Sequence, residues 1–326
     1  MNVSRNRICL CGSRQKFKHC CGALSKEAVK PTETELEILA VEADDQGLIL
    51  GEEPKQRAFH NVLRMLRSLG IDGVPLMGDH IPEIVKRVHS ANNRLFRSID
   101  KREGGVHLGF FMFRDLFSRL YVPIVFGSPN VDFGKLLDLS EDQKRWMSTD
   151  AEAMARFEDQ AFDLFDFAYG CMEFGHTRSV TDQSKELIYR AHVQLEAAAA
   201  TATSAYDYRG TLQSALLGAE LALKAGLACN GYSDDMLRQK IGHDVVRAAQ
   251  ALGECELNFD AHRVKNAVQT FPNFAQSRYG GQQPDRREMG HILMKAQYVA
   301  SEVTRTFTDR NLRAVQPAAL ARSYPI

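Results

Sequence analysis

Apolar residues recur at intervals of three and four along most of the chain, which is the spacing of one face of an α-helix. Leu63, Leu66 and Leu69 follow it within a helical stretch that we predict over residues 56–100. From about residue 150 onward strand signals are nearly absent, and short connections favour an antiparallel bundle. The helices predicted there span residues 151–174, 182–206, 209–229, 234–252, 259–270 and 286–308. In the third of them we expect five side chains to face inward: Leu212, Leu216, Ala219, Leu223 and Leu227.

The most apolar stretch of the chain lies between residues 108 and 126, after a pair of glycines. Its three charged residues, Arg114, Asp115 and Arg119, fall among apolar neighbours at helical spacing. We therefore expect a buried helix here and no strand, with the aromatic residues packed in the core. The fold class predicted from these patterns is mainly α.

Four cysteines lie close together near the start of the chain, and their number suits a tetrahedral zinc shell: Cys9, Cys11, Cys20 and Cys21. A chain of 326 residues does not need a disulfide staple, so a metal site is the natural interpretation. Gly12 and Ser13 suit a tight turn after the first pair. A shell of four thiolates leaves no open position, so we expect one structural Zn²⁺. His19 remains an alternative to either cysteine of the second pair as a ligand.

The same segment resembles the SEC-C motif, the zinc-binding tail of the SecA translocation ATPase and an accessory module of many bacterial proteins. The resemblance rests on residues 5–6, 9–13, 16–18 and 20–22. It implies that the four cysteines hold zinc and that the module contacts a partner protein or ribosome. The chain departs from the usual motif at Ile8 and Leu10, where prolines are usual, and at Arg14, where glycine is usual. These changes leave the four ligands intact.

Charge is balanced overall but uneven along the chain. The 41 acidic and 41 basic residues cancel, which argues against a global attraction to nucleic acid. The first 30 residues carry seven Lys or Arg and one Glu, whereas residues 33–53 carry eight acidic residues and no basic one. We interpret residues 25–55 as an acidic linker or helix.

Nothing in the pattern predicts a membrane segment. No stretch approaches the roughly 20 apolar residues of a membrane span, and the basic N-terminus lacks an apolar signal core. The remaining cysteines, Cys171, Cys229 and Cys255, lie in apolar helical contexts and are interpreted as reduced core thiols. We expect a cytoplasmic protein with no membrane partner.

Three short segments of the C-terminal half resemble the HEPN domain, a bundle of four or five helices. They are residues 215–227 with Glu220 and Lys224, residues 242–246 with His243, and residues 277–281 with Arg278 and Tyr279. The family includes RNases of toxin–antitoxin and anti-phage systems and non-catalytic partners of nucleotidyltransferases. The resemblance implies a HEPN-like bundle over residues 182–308 and a homodimer formed through it.

HEPN RNases carry an arginine and a histidine four to six residues apart, which bind the scissile phosphate and move protons without a metal. Arg286 and His291, at the start of the last predicted helix, are our candidate catalytic pair, with Arg278 and Tyr279 as candidate binding residues. The structural alternative is a surface arginine and a capping or buried histidine. Three further pairs have the same spacing, and a total of four is within the scatter expected from random placement: Arg14–His19, Arg102–His107 and Arg238–His243.

One other group of ligand-type residues shares a helical face. Glu186, His192 and Glu196 lie on one side of the helix predicted over 182–206, the last two at i, i+4. Without a further histidine we interpret them as a solvated face and not as a metal site.

These patterns predict four segments: a SEC-C zinc knuckle at 1–24, an acidic linker or helix at 25–55, a helical domain at 56–180, and a HEPN-like bundle with a tail at 181–326. The leading functional hypothesis is a zinc-binding cytosolic adaptor that docks a protein, RNA or ribosome partner through the SEC-C module. The alternative is a metal-independent endoribonuclease that acts as a toxin or anti-phage effector. Whether the chain is an enzyme is left open by the sequence.

Overall fold

A computed structural model describes residues 31–76, 81–96, 105–124, 131–205, 207–273, 283–315 and 322–325, together with Asn6 and Lys16. The chain divides into two compact units, Met1–Gly104 and Gly105–Ile326. This boundary differs from the domain limits expected at residues 55 and 180. The described residues are mainly helical, as the sequence predicted.

The described part of the first unit consists of three helices: α1 Glu33–Ile49, α2 Pro54–Ser68 and α3 Glu83–Asn93. Thr32 and Glu35 form a capping box that satisfies backbone N–H groups at the start of α1. The acidic stretch is thus a helix and not a linker. One face of each helix packs into a small core that the three helices share: Leu36, Ala40, Val62, Met65, Leu66, Val85 and Val88.

The second unit begins with a β-hairpin, which overturns the helix predicted over residues 108–126. Strands β1 Gly105–Phe113 and β2 Leu116–Pro123 pair antiparallel. Arg114 and Asp115 form the two-residue turn, with Arg114 at a φ of 58°. The helical interpretation failed because residues 109–113 are all buried, so the strand shows no alternation of apolar and polar positions.

Helices form most of the remaining described residues of this unit. From residue 151 onward their bounds agree closely with the predicted ones except that the helix expected over 234–252 is interrupted at Gly242, whose φ is +59°. The helices are α4 Glu141–Ser148, α5 Ala151–Glu173, α6 Asp182–Ala202, α7 Arg209–Cys229, α8 Asp234–Met236 with the π-helical turn Leu237–Ile241, α9 Val245–Cys255, α10 Ala261–Gln269 and α11 Arg286–Phe307. The first of them, α4, had no predicted counterpart.

Helix α7 lies at the centre of the core. All five side chains predicted to face inward are buried, including Leu216 at 3 % exposure. Helix α6 packs closely along it, since a Cβ on Gly218 would lie 2.8 Å from the side chain of Leu195. Helix α7 is long and apolar enough to cross a membrane, contrary to the expectation from sequence, but 67 % of that window is buried inside the protein. That burial is what a core helix shows.

Helix α11 fastens the hairpin to the helices. The side chain of Gln297 accepts a hydrogen bond from Phe110 N at 2.8 Å and donates one to Phe110 O at 2.9 Å. Gly109 gives β1 room against α5, since a Cβ there would lie 2.4 Å from Leu164. These close approaches fix β1 against α5 and α11.

Two buried carboxylates on α5, Asp159 and Asp163, hold residues 322–324. Asp159 accepts hydrogen bonds from the backbone of Ser323 and Tyr324, each at 2.8 Å, and Asp163 pairs with Arg322.

Of the three cysteines interpreted as core thiols, all are free, but Cys255 is exposed and not in the core.

Candidate functional site

Six of the predicted site residues lie outside the residues that the structure describes. They are the four proposed zinc ligands, Cys9, Cys11, Cys20 and Cys21, and the two proposed binding residues, Arg278 and Tyr279. The zinc shell and the binding role of Arg278 and Tyr279 therefore stay predictions from sequence. The candidate catalytic pair on α11 is described.

Arg286 is engaged in packing the hairpin turn. Its Nε donates to Asp115 O at 2.6 Å, and its guanidinium also donates to the hydroxyl of Tyr208. The same group lies 4.0 Å from the ring centroid of Phe117, in cation–π distance. These contacts give Arg286 a structural role at the β-turn, whether or not it also meets a ligand.

His291 lies one and a half turns along α11 and is partly buried. Its Nδ1 is 3.1 Å from the hydroxyl of Tyr324, and that hydroxyl is 3.2 Å from the carbonyl of His291 itself. Burial lowers the pKa of His291, and the positive charges of Arg156, Lys295 and Arg287 lower it further. The lowered pKa favours the neutral imidazole, which can accept a proton.

The structure places the predicted pair in one cleft of about 700 Å³. Two acidic residues of its lining are already occupied as helix N-caps, because Asp150 accepts from Ala153 N and Asp285 accepts from Glu288 N. The basic and aromatic lining consists of Phe113, Arg114, Trp146, Arg156, Arg286, Arg287 and His291.

Two of the segments that resemble the HEPN domain, residues 215–227 and residues 242–246, also meet in the structure. Glu220, buried on α7, accepts from Lys224 Nζ at 2.7 Å. Its carboxylate lies 3.0 Å from Nδ1 of His243, whose side chain is 66 % exposed. A buried carboxylate thus orients a solvent-facing imidazole on the wall of a second cleft of about 510 Å³. Asp244 caps α9 by accepting from Arg247 N.

A third group of side chains joins His107 to His192 and Glu196, which lie more than eighty positions further along the chain. His107 on β1 meets His192 and Glu196 on α6, and one potential ligand atom from each residue lies within 4.8 Å of the other two. His107 Nδ1 is 3.7 Å from Glu196 Oε1, and His192 Nε2 is 3.5 Å from Glu196 Oε2. The two imidazole centroids are 4.7 Å apart.

Packing and one hydrogen bond fix the orientation of this cluster. Leu108 N donates to Glu196 Oε1 at 3.0 Å, which ties the carboxylate to the strand that carries His107. The ring of Phe167 stands edge-on to His107 at 5.3 Å. Burial, with a smaller contribution from His192, lowers the pKa of His107 to about 3, so its imidazole is neutral.

Sequence reasoning recognised two members of this cluster and missed the third. The i, i+4 spacing of His192 and Glu196 reveals that they share a helical face, but a metal site needs a further ligand that this helix does not supply. That ligand is His107, which lay next to a segment assigned to a helix. Predicting that His107 lies beside His192 would have required assigning the β-hairpin and packing β1 on α6. Glu186 lies on the same helix but outside the cluster, paired with Arg190 at 2.7 Å.

Comparison with known proteins identifies one short segment. Residues 5–23 match the family model of the SEC-C motif, which confirms the resemblance seen in the sequence. No curated protein and no solved structure matches the chain. The match establishes the motif at the N-terminus and does not reach the helical segment 182–308, whose HEPN resemblance none of these comparisons supports.

Proposed function

We propose that this chain, which carries a SEC-C motif, is a zinc-binding cytoplasmic adaptor that docks a protein, RNA or ribosome partner through that motif. The observation that carries the proposal is the match over residues 5–23. Four thiols at this spacing are the donor set that a structural Zn²⁺ prefers, so the residues present fit the metal. The ion would fold the segment into a knuckle with a basic surface, because the first 30 residues hold seven Lys or Arg.

The second unit, Gly105–Ile326, would supply the stable folded part of the adaptor. The alanine-rich helices α6 and α7 pack closely, and the contacts of Arg286 hold the hairpin against α11. Packing explains these features, so none of them requires a catalytic role. A homodimer formed through this unit is part of the proposal, as the HEPN resemblance implies.

The adaptor proposal is tested by comparing the full-length chain with Cys20→Ser/Cys21→Ser, which removes two ligands. Both proteins are assayed for sedimentation with ribosomes, for crosslinking to RNA and for co-purifying proteins. We expect one of these associations to be present in the wild type and lost in the variant. Cys255→Ser is the matched control, since it removes an exposed thiol outside the motif. Association unchanged by loss of the cysteine pair, or absent in all three assays, contradicts the proposal.

A second candidate function is metal-independent endoribonuclease activity, favoured by the shared cleft of Arg286 and His291. The neutral imidazole of His291 would take a proton from a 2′-hydroxyl, and the neighbouring arginines would bind the phosphate. Cleavage of total RNA in the presence of EDTA is the test. We expect it to be lost in His291→Ala and kept in Tyr324→Phe, which removes only the hydroxyl that contacts His291. If the wild-type protein cuts no RNA, the endoribonuclease function is refuted and the adaptor function is the one that remains.

A further inference from the structure

We propose that His107, His192 and Glu196 form a metal site separate from the N-terminal cysteines, and that it binds a divalent transition-metal cation such as Zn²⁺. The site joins strand β1 to helix α6 within the second compact unit. It goes beyond the proposed adaptor function, because neither the SEC-C motif nor the cleft of His291 involves these residues.

The separations of the ligand atoms suit a tetrahedral cation. Zinc bonds of 2.0–2.1 Å at tetrahedral angles place ligand atoms about 3.3 Å apart. His107 Nδ1 lies 3.7 Å from one carboxylate oxygen of Glu196 and His192 Nε2 lies 3.5 Å from the other, each slightly longer than that value. One ligand atom from each of the three residues lies within 4.8 Å of the other two. The two imidazole-to-carboxylate distances are also long for hydrogen bonds, so direct pairing explains the grouping poorly. A small contraction of the side chains around an ion would satisfy all three groups.

The histidines also have polar atoms that the surrounding protein leaves unsatisfied. The His107 side chain is fully buried, and neither of its ring nitrogens has a hydrogen-bond partner among the described residues. The same holds for Nδ1 of His192 within the described part of the chain. A buried polar atom without a partner destabilises the folded state, and such groups call for an explanation. A cation bound to Nδ1 of His107 would satisfy that buried nitrogen, and at His192 it would bind Nε2, the nitrogen that faces Glu196.

The ligand set indicates the kind of site. Two imidazoles and one carboxylate are typical of sites that keep an open coordination position, whereas four thiolates close the shell. The Glu196 side chain is 37 % exposed, so the site is reached from solvent on that side. We therefore infer that the cation keeps a position for water or a small ligand, unlike the closed N-terminal knuckle.

The test uses the full-length chain carrying Cys20→Ser/Cys21→Ser, so that zinc held by the knuckle does not mask this site. Metal-free protein is titrated with Zn²⁺ in a calorimeter, and thermal unfolding is followed with and without the ion. We expect one equivalent of Zn²⁺ to bind and to raise the unfolding temperature, since a ligand that binds only the folded state stabilises it.

Substitutions of the ligands provide the discriminating comparison. His192→Gln and Glu196→Gln should each weaken Zn²⁺ binding at least about tenfold, the lower end of the loss seen even for outer-shell partners. Glutamine at position 196 keeps an oxygen for the hydrogen bond from Leu108 N, so the fold is preserved. Glu186→Gln, on the same helix outside the cluster, should bind as the parent does. If the parent binds no Zn²⁺, or if Glu196→Gln binds it undiminished, the proposal is overturned.

Discussion

Replacing Asp163 with alanine tests how the end of the chain is held to the helical core. The Asp163 side chain is fully buried on α5 and receives both terminal nitrogens of Arg322, one of them at 2.8 Å. It also accepts from Arg305 Nη1 at 3.0 Å. Arg305 keeps Asp166 and Glu302 as partners when Asp163 is removed. Arg322 keeps only the carbonyl of Tyr324 among its described hydrogen bonds.

The expected cost follows from this unequal distribution of partners. Leaving one member of a buried ion pair uncompensated costs about 3–5 kcal/mol. Because Arg305 retains two carboxylates, the penalty falls almost wholly on Arg322, whose side chain is 11 % exposed. We therefore expect Asp163→Ala to lower the free energy of unfolding by about 3 kcal/mol, at the lower end of that range. A domain is usually stable by only about 5–15 kcal/mol, so this loss is large.

Urea unfolding followed by far-UV circular dichroism measures the change. The control is the double variant Asp163→Leu/Arg322→Met, which replaces the pair by apolar groups of similar size and leaves no unpaired charge between them. It should be more stable than Asp163→Ala, since burying both charges carries its own desolvation cost. A loss below about 1 kcal/mol in Asp163→Ala, or a double variant as unstable as the sum of its single variants, would refute the reasoning.

The same group predicts a pH dependence. Burial raises the pKa of Asp163, but the charges of Arg322 and Arg305 outweigh it and hold the pKa below its ordinary value. A carboxyl group whose pKa is depressed on folding stabilises the protein above its unfolded pKa of about 3.9. That stabilisation is lost as pH falls through the folded pKa. The stability difference between wild type and Asp163→Asn should be constant above about pH 5 and shrink below about pH 4. Burial raises the pKa of neighbouring Asp166, which acts in the opposite sense, so the difference and not the wild-type curve is the measurement.

Three further outcomes are expected. Elemental analysis should find one zinc per chain lost in Cys20→Ser/Cys21→Ser while the far-UV dichroism barely changes, because the two described helical cores are formed by residues later in the chain; global unfolding would contradict a separable module. Leu216→Asp should cost about 3–5 kcal/mol in urea unfolding, since it buries an unpaired charge in α7. Gln297→Leu should cost about 1–3 kcal/mol by stranding the backbone N–H and carbonyl of Phe110, and an unchanged stability would show that the hairpin is held by other contacts.

Much of the helical architecture could be predicted because its cause is local. The periodicity that predicted α7 over residues 209–229 is the same one that buries Leu212, Leu216 and Leu223. The break at Gly242 was not predicted. It depends on a positive φ that a window of apolar residues does not reveal.

The hairpin at residues 105–123 could not be predicted in the same way. Alternation marks a strand only when one face meets solvent, and residues 109–113 are buried throughout. Arg114 and Asp115, whose spacing predicted a helix, form the turn instead. The buried row Asp159, Asp163 and Asp166 on α5 also gave no signal, because its arginine partners lie far along the chain.

The sequence by itself determined the SEC-C motif, the mainly helical fold and the inward face of α7, since each depends on residues close together in the chain. Tertiary structure alone decided that His107 lies beside His192 and Glu196, because hairpin pairing and the packing of β1 on α6 bring it there. The physical reason is the range of the interactions. Helix periodicity and motif spacing act over a few residues, whereas a ligand cluster drawn from a strand and a helix 85 positions apart, as His107 and His192 are, exists only when the whole core has assembled.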